Sequence, residues 1–543
     1  MTVGQYLLKR LEEAGMQHMF GVPGDYILDF YDQLMASPIE FVGTCSEQGA
    51  GFAADAYARV NGLGAVCVTY CVGGFNALNA VAGAYAEKSP LIIISGIPGL
   101  EERQGHPLLH HQVRSLNTQL QIFERVTAAA ITIEDPKLAP RQIDDVIETC
   151  LREKRPVYIE FPRDVPKMRC ASPKKRVVVP NPGSSETLKE ALEEASTMIR
   201  KAKKPVILGG VEIHRFGLQD KLLKLSEKSG IPVAATLLGK SIIREDHPLY
   251  LGIYEGAMGR HDVQKSVESS DCVIILGAFM TDINLGIYTA SLDTAQSINA
   301  SSERVSIKHH HYEGLDLGRF IDGLAKASKH RKSPLVKAKK EPRPFKPKPN
   351  TPVTVRRFFQ RINELLDKKT MVICDIGDSL FAASDLTIKA RTEFLSPAYY
   401  TSMGFAIPAA VGAHVNKKNV RPMVFVGDGA FQMTGFELST IAKLGLNPII
   451  FVMNNKGYTT ERFISDGAFN DIHNWSYHKM TDLLQTGWGC EVNTEGELEE
   501  AFITAFKNKK SFSLINVHLD PYDRSDSLER LGKWIGKSND AKS

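Results

Sequence analysis

The residues with the most chemical potential stand between 422 and 458. An apolar run, PMVFV, ends at Gly427-Asp428-Gly429-Ala430. A helical stretch, GFELSTIAKLG, follows, and a second apolar run, PIIFVM, ends at Asn454-Asn455-Lys456-Gly457-Tyr458. A strand that stops at a glycine turn ahead of a helix exposes backbone N–H groups to phosphate. In a parallel strand–helix–strand unit both strand ends point to one edge of the sheet, so Asp428 and Asn455 are expected there together. The Asp428 carboxylate, the Asn455 amide oxygen and the Gly457 carbonyl make three hard oxygen ligands, and Mg²⁺ takes its remaining ligands from phosphate oxygens and water. GDG alone is common. Its pairing with NN at the end of a second strand is what makes the signal specific.

Other groups have a chemical and a plain reading side by side. Glu47, in TCSEQGAGFAADAYAR, opens a helix lined by Gly49, Ala50, Gly51, Ala53, Ala54 and Ala56, small enough to let another surface come close. A first-turn glutamate by itself only answers the helix dipole. Asp25 lies in a PGD turn, ordinarily an Asx turn. His110-His111 in GHPLLHHQV is ambiguous alone, since adjacent histidines in a loop ordinarily serve as polar residues, as His309-His310-His311 is read to do. Glu461, in NNKGYTTER, is either a pocket acid or a surface partner of Arg462, and Met403 in YYTSMGFAIPAA is core filler on spacing alone.

Short apolar β-rich runs alternating with helical patterns must position these groups. Strands are expected at 64–70, 91–95 and 156–161, then at 205–208, 232–235, 272–276 and 305–308, and finally at 370–374, 422–426, 448–453 and 512–517. The first and last thirds echo each other. TVGQYLLKRLEEAG at 2–15 resembles TVRRFFQRINELLD at 354–367, and the strand–turn–helix–strand series at 64–95 resembles that at 422–453. Such matches at a near-constant offset indicate two like domains flanking a different one. The expected fold is α/β, three doubly wound parallel-sheet domains, with 1–175 and 353–543 of similar topology around a central domain at 185–332. Residues 333–352 form a Pro- and Lys-rich linker that should run extended.

The chain has 543 residues, 43% hydrophobic and 24% charged, with a formal charge of +4. The stretch 334–352 holds five Lys, one Arg and one Glu, a net +5, so the rest sums to −1 and no nucleic-acid surface is indicated. No apolar run is long enough for a membrane span. Lys9, Arg10, Glu12 and Glu13 fall where an export signal would be apolar, and none of the eight cysteines forms a CxxC pair. Both features point to the cytoplasm.

The GDG…NN arrangement resembles the diphosphate–Mg²⁺ motif of thiamin diphosphate enzymes. The whole chain is most similar to the non-oxidative 2-oxo acid decarboxylases, the pyruvate, indolepyruvate and branched-chain group. The resemblance implies thiamin diphosphate and Mg²⁺ as cofactors, a small 2-oxo acid as substrate, and an active site formed between two subunits, so a homodimer at least and a homotetramer as the expected form. Asp428, Asn455 and Gly457 would hold the metal, with Gly427, Gly429, Ala430, Tyr458 and Asp378 around the diphosphate. Glu47 would hydrogen-bond the aminopyrimidine nitrogen, the Thr401 carbonyl would accept from the 4′-amine, and Met403 would prop the two rings into a bent shape. Asp25, His110, His111 and Glu461 would form an acid–base cluster for the proton steps after CO₂ leaves. Leu380 and Thr460 match pocket positions that are often bulkier in pyruvate-restricted relatives, which implies branched, aromatic or longer substrates. Cys71, in TYCVGG, stands where the family usually has glycine. A carboligase of the acetolactate synthase type shares the Glu47 and GDG…NN features and is the alternative, which the histidine pair and Glu461 disfavour.

Overall fold

The computed structural model describes residues 1–105, 107–172, 185–335, 344–390, 394–417 and 419–530. The centre of the proposed linker, 336–343, and much of the polar separator after the first third lie outside the described residues.

The first sheet is built from β1 (His18–Gly21), β2 (Glu40–Gly43), β3 (Gly64–Val68), β4 (Leu91–Ile97), β5 (Ala129–Thr132) and β6 (Val157–Pro162). Its order is β2-β1-β3-β4-β6-β5 and every pairing is parallel. The middle sheet holds β7 (Pro205–Gly209), β8 (Val233–Ala235), β9 (Tyr250–Ile253), β10 (Cys272–Leu276), β11 (Ser297–Ala300), β12 (Arg304–Ile307) and β13 (His310–Glu313). The last holds β14 (Thr370–Cys374), β15 (Phe394–Leu395), β16 (Arg421–Gly427), β17 (Ile449–Asn454), β18 (Trp488–Val492) and β19 (Ser513–His518). Its order, β15-β14-β16-β17-β19-β18, is the permutation of the first sheet, again wholly parallel.

Every run read as a strand overlaps one of these, with ends that differ by up to two residues, and the internal echo is structural. Thr2 and Thr354 cap equivalent helices, Val3–Glu13 and Val355–Leu365, each accepting from the backbone N–H three residues on. The middle domain departs from the expected parallel sheet. β12 pairs antiparallel with both β11 and β13. The connections at 301–303 and 308–309 are too short for the crossover of roughly a dozen residues that parallel pairing requires.

The last sheet is the hub of the core. Alternate residues along its strands face opposite sides. Val424, Val426, Ile450 and Val452 join a core continuous with the first domain, while Met423, Phe425, Ile449 and Phe451 join one continuous with the middle domain. Two helices lock the first domain to the last. Gly412, in Ala406–His414, lies so close to the helix Glu47–Asn61 that a Cβ there would stand 1.8 Å from the Ala53 carbonyl oxygen. The small residues around Glu47 are therefore explained by packing.

In open sheets of this kind ligands bind beyond the carboxyl ends of the strands where the order reverses. In the last sheet that point lies between β14 and β16, directly ahead of Asp378 and Asp428. In the first it lies between β1 and β3, ahead of Asp25 and Cys71.

Candidate functional site

Asp428 follows β16 as the first residue of the helix Asp428–Thr434. Its side chain is buried; one oxygen accepts from Gly429 N–H at 2.8 Å and the other from Gly457 N–H at 3.2 Å. Burial outweighs these bonds and pushes its carboxyl up to about 6. β16 and β17 are neighbours, with Gly427 opposite Met453, so Asn455 emerges at the same edge. Asn455 is buried and its Oδ1 has no hydrogen-bond partner. Gly457 has φ +147°, and a Cβ there would stand 2.1 Å from the Asn470 carbonyl oxygen, so only glycine fits; its own carbonyl accepts from Thr459 N–H at 3.2 Å. A buried carboxylate beside an orphaned buried amide oxygen is an arrangement that a hard cation relieves, and the donor set fits Mg²⁺. Around it, the Tyr458 ring lies against Gly429, where a Cβ would stand 2.4 Å from the ring, and Gly427 faces open space. Ala430 is buried in the turn that follows.

The loop owes its shape to Arg462. Its guanidinium donates to the carbonyls of Asn455 at 3.3 Å and Lys456 at 3.0 Å, and pairs with Asp471 at 2.7 Å. The neighbouring Glu461 is exposed on the short helix Thr459–Ile464, whereas Arg462 is buried and turned to these partners. Thr460 is half-buried, its hydroxyl turned towards Gly377. Leu380 is wholly buried in the apolar core, on the helix Asp378–Ser384, every residue of which is buried.

Asp378 is buried with both oxygens occupied by Ser525. The Ser525 N–H reaches one at 2.8 Å and its hydroxyl donates to the other. Burial pushes this carboxyl up to about 6. The sequence reading missed Asp375, three residues earlier. It is fully buried and accepts from Gly404 N–H at 3.1 Å and Ala406 N–H at 2.8 Å, which sets the turn carrying Met403. Thr401 adopts φ +57°, and its turn is fixed from the first domain, since Glu87 accepts from the N–H groups of Tyr399 and Tyr400 at 2.8 and 2.9 Å. Glu87 is itself paired with Arg59 at 2.8 Å. Nothing in the sequence pattern marked Glu87.

In the first domain Glu47 begins its helix behind the N-cap Ser46 and accepts from the Asn76 side-chain amide at 2.7 Å. Asp25 and the paired histidines come together. Asp25 Oδ2 lies 2.8 Å from His110 Nε2, and the buried Tyr26 hydroxyl lies 3.1 Å from His110 Nδ1. The two partners assign the tautomer: Nε2–H donates to the carboxylate and Nδ1 accepts from the phenol. Tyr26 also stacks on His110, centroids 4.5 Å apart, and His111, at φ +66°, meets His110 edge-on at 4.8 Å. Burial, then the charges of Asp25 and Glu102, push the Tyr26 phenol up, so it stays a proton donor. Tyr26 was overlooked, although it adjoins Asp25 in the sequence. Behind the cluster, Cys71 takes φ +48°, a region that favours glycine. The buried Gln119 holds it there by accepting from Cys71 N–H at 2.7 Å. By contrast His310 and His311 serve the middle-domain surface, beside Glu194 and Ser306.

Three family models match in the order of the three sheets. The thiamine pyrophosphate enzyme N-terminal TPP binding domain covers residues 1–121, the central domain 192–318, and the C-terminal TPP binding domain 375–517. The chain is 35% identical to indole-3-pyruvate decarboxylase of Azospirillum brasilense, over 98% of each chain. It is 34% identical to pyruvate decarboxylase 3 of Arabidopsis thaliana and 33% identical to pyruvate decarboxylase 1 of Pisum sativum, in both cases over 99% of this chain and 94% of the relative. The chain belongs to the thiamin diphosphate-dependent 2-oxo acid decarboxylases.

This decarboxylase is accordingly a carboxy-lyase acting on a small 2-oxo acid, with thiamin diphosphate as its cofactor, which the family uses together with Mg²⁺. No helix among its described residues is long and apolar enough to cross a membrane.

Proposed function

We propose that this decarboxylase converts branched, aromatic or longer 2-oxo acids to the aldehyde and CO₂ at least as well as pyruvate, with Mg²⁺, as a cytoplasmic homodimer that pairs into a homotetramer. The observation that carries the reading is the convergence of Asp25, Tyr26, His110 and His111 at the carboxyl edge of the first sheet, in a chain of this family. When bound, thiamin diphosphate supplies the electron sink that lets the carboxylate leave. The residues of the chain do the rest. Asp428, Asn455 and the Gly457 carbonyl hold the metal, with Gly427, Gly429, Ala430, Tyr458 and Asp378 around the tail. Glu47 keeps a proton at the pyrimidine nitrogen. Thr401 and Met403 orient the rings. His110, polarised by Asp25 on one side and Tyr26 on the other, would give a proton to the reacting carbon and, with His111 and Glu461, take one from the hydroxyl oxygen as the aldehyde leaves.

Thr460, small and half-buried, and Leu380 on the helix after β14 support the roomier pocket. Two subunits are supported by Val72, Met433 and Phe436, apolar side chains left exposed beside the two half-sites. Among the described residues no hydrogen bond joins Glu47 or the Asp25–His110 pair to the Asp428–Asn455 edge. The cytoplasm is supported by eight cysteines that are all free.

The test is turnover of pyruvate, 3-methyl-2-oxobutanoate, phenylpyruvate and indolepyruvate with thiamin diphosphate and Mg²⁺, with product analysis. We expect aldehydes, with kcat/KM for a larger acid equal to or above that for pyruvate. A strong preference for pyruvate refutes the substrate assignment, and acetolactate from pyruvate refutes the reaction.

A further inference from the structure

The helix bearing Glu47 is gripped by a carboxylate from the last domain that the sequence reading passed over. The stretch GFELSTIAKLG is not one helix. The helix from Asp428 ends at Thr434, a 3-10 turn covers Gly435–Glu437, and a new helix runs Leu438–Lys443. That break brings Glu437, buried, against the turn ahead of Glu47. Glu437 Oε1 accepts from Cys45 N–H at 3.1 Å and Ser46 N–H at 3.2 Å; Oε2 lies 3.2 Å from Cys45 N and accepts from the Thr440 hydroxyl at 2.7 Å. The Cys45 thiol reaches the Phe436 carbonyl at 3.2 Å. Gly49, two residues past Glu47, completes the fit, since a Cβ there would stand 2.0 Å from Glu437 Oε1. The amides of Cys45 and Ser46 immediately precede the helix and have no turn of their own to satisfy them. Glu437 does so with a buried carboxyl group, which fixes the first turn more firmly than water would.

We propose that Glu437 is a positioning residue for Glu47: through the Cys45 and Ser46 amides it sets where the Glu47 carboxylate stands, and it ties that carboxylate to the segment that begins at the metal ligand Asp428. The proposal rests on the role given to Glu47 above. A displacement of the order of 1 Å at such a group costs about 10²-fold in rate. Gln at 437 keeps an oxygen for the two amides and can turn its NH₂ to the Thr440 hydroxyl.

The readout is exchange of the thiazolium C2 proton of bound thiamin diphosphate for deuterium, at saturating cofactor and Mg²⁺, alongside cofactor affinity. Glu437→Ala is expected to slow exchange by about 10²-fold, with affinity changed by less than about threefold, and Glu437→Gln to recover most of it. Gly49→Ala should slow exchange in the native background yet add nothing to Glu437→Ala, because the atoms it strikes are then gone. Should Glu437→Ala fail to fold, Glu437→Gln and Gly49→Ala carry the test. Exchange unchanged in Gly49→Ala and Glu437→Ala, or losses that multiply, overturns the proposal. Glu47→Gln serves as the reference. If it too leaves exchange unchanged, the assignment of Glu47 fails; if it alone stops exchange, only the positioning role fails.

Discussion

The first and last domains share one strand permutation and treat their acids in opposite ways. In the first, Asp25 and His110 remain accessible to solvent, and their order comes from contact with each other and with Tyr26. In the last, Asp375, Asp378 and Asp428 are sealed behind strand ends, and each is pushed up to about 6 by burial. The same topology thus yields a half-site suited to passing protons and another suited to gripping charge. The difference arises in the segments after equivalent strands. β1 leads into an open PGD turn, whereas β16 leads straight into a helix that opens with Asp428, and β14 reaches one three residues on, with Asp375 buried in the connection and Asp378 in the first turn.

The contrast breaks most sharply on rate. His110→Ala should lower kcat by about 10²–10⁴-fold while cofactor affinity stays put, as general acid–base roles do. A parallel fall in affinity would erase the distinction between the halves. Asp428→Ala is the converse experiment. Metal-dependent cofactor binding should weaken by about 10²-fold or more, with part of kcat recovered at high Mg²⁺ and cofactor. Titration calorimetry decides it, and unaltered Mg²⁺ affinity would remove Asp428 from the ligand set.

Asp375 sharpens the comparison through pH. Its native carboxyl holds a proton up to about 6, against 3.8 for the free side chain. The native state therefore binds the proton more tightly than the unfolded chain. That stabilisation is whole below the unfolded value and is lost as pH rises through the native one, a difference of about 3 kcal/mol. The melting temperature of the native protein relative to Asp375→Asn should fall between about pH 4 and 7 and level off above. A gap independent of pH would show that burial there is not felt as a proton affinity. The smallest effect is expected at Ser525→Ala, about 1 kcal/mol of local opening. It should be read as faster proteolysis within 523–530 with kcat/KM little changed. Unaltered proteolysis would mean that the backbone N–H of Ser525 alone holds the segment.

What was legible in the sequence follows from the same physics. Strands buried on both faces, such as LIIIS and PIIFVM, read as continuous apolar runs and were found. The short β1 and β2, and β5 and β18 at sheet edges with mixed polarity, were not. The GDG…NN pair was legible because its parts are local and its spacing is set by one strand–helix–strand unit. Tyr26, Glu87, Gln119, Arg462 and Glu437 were not, because each acts on backbone or side chains brought near only by the fold.

The bond between Ser525 and Asp378 has a consequence for anyone recombining relatives of this enzyme. Exchanging the stretch around 525 for one that lacks a hydroxyl there would leave a sealed acid without that partner. A chimera must therefore carry positions 378 and 525 as a matched set, or a loosened segment will be mistaken for a general failure of the join.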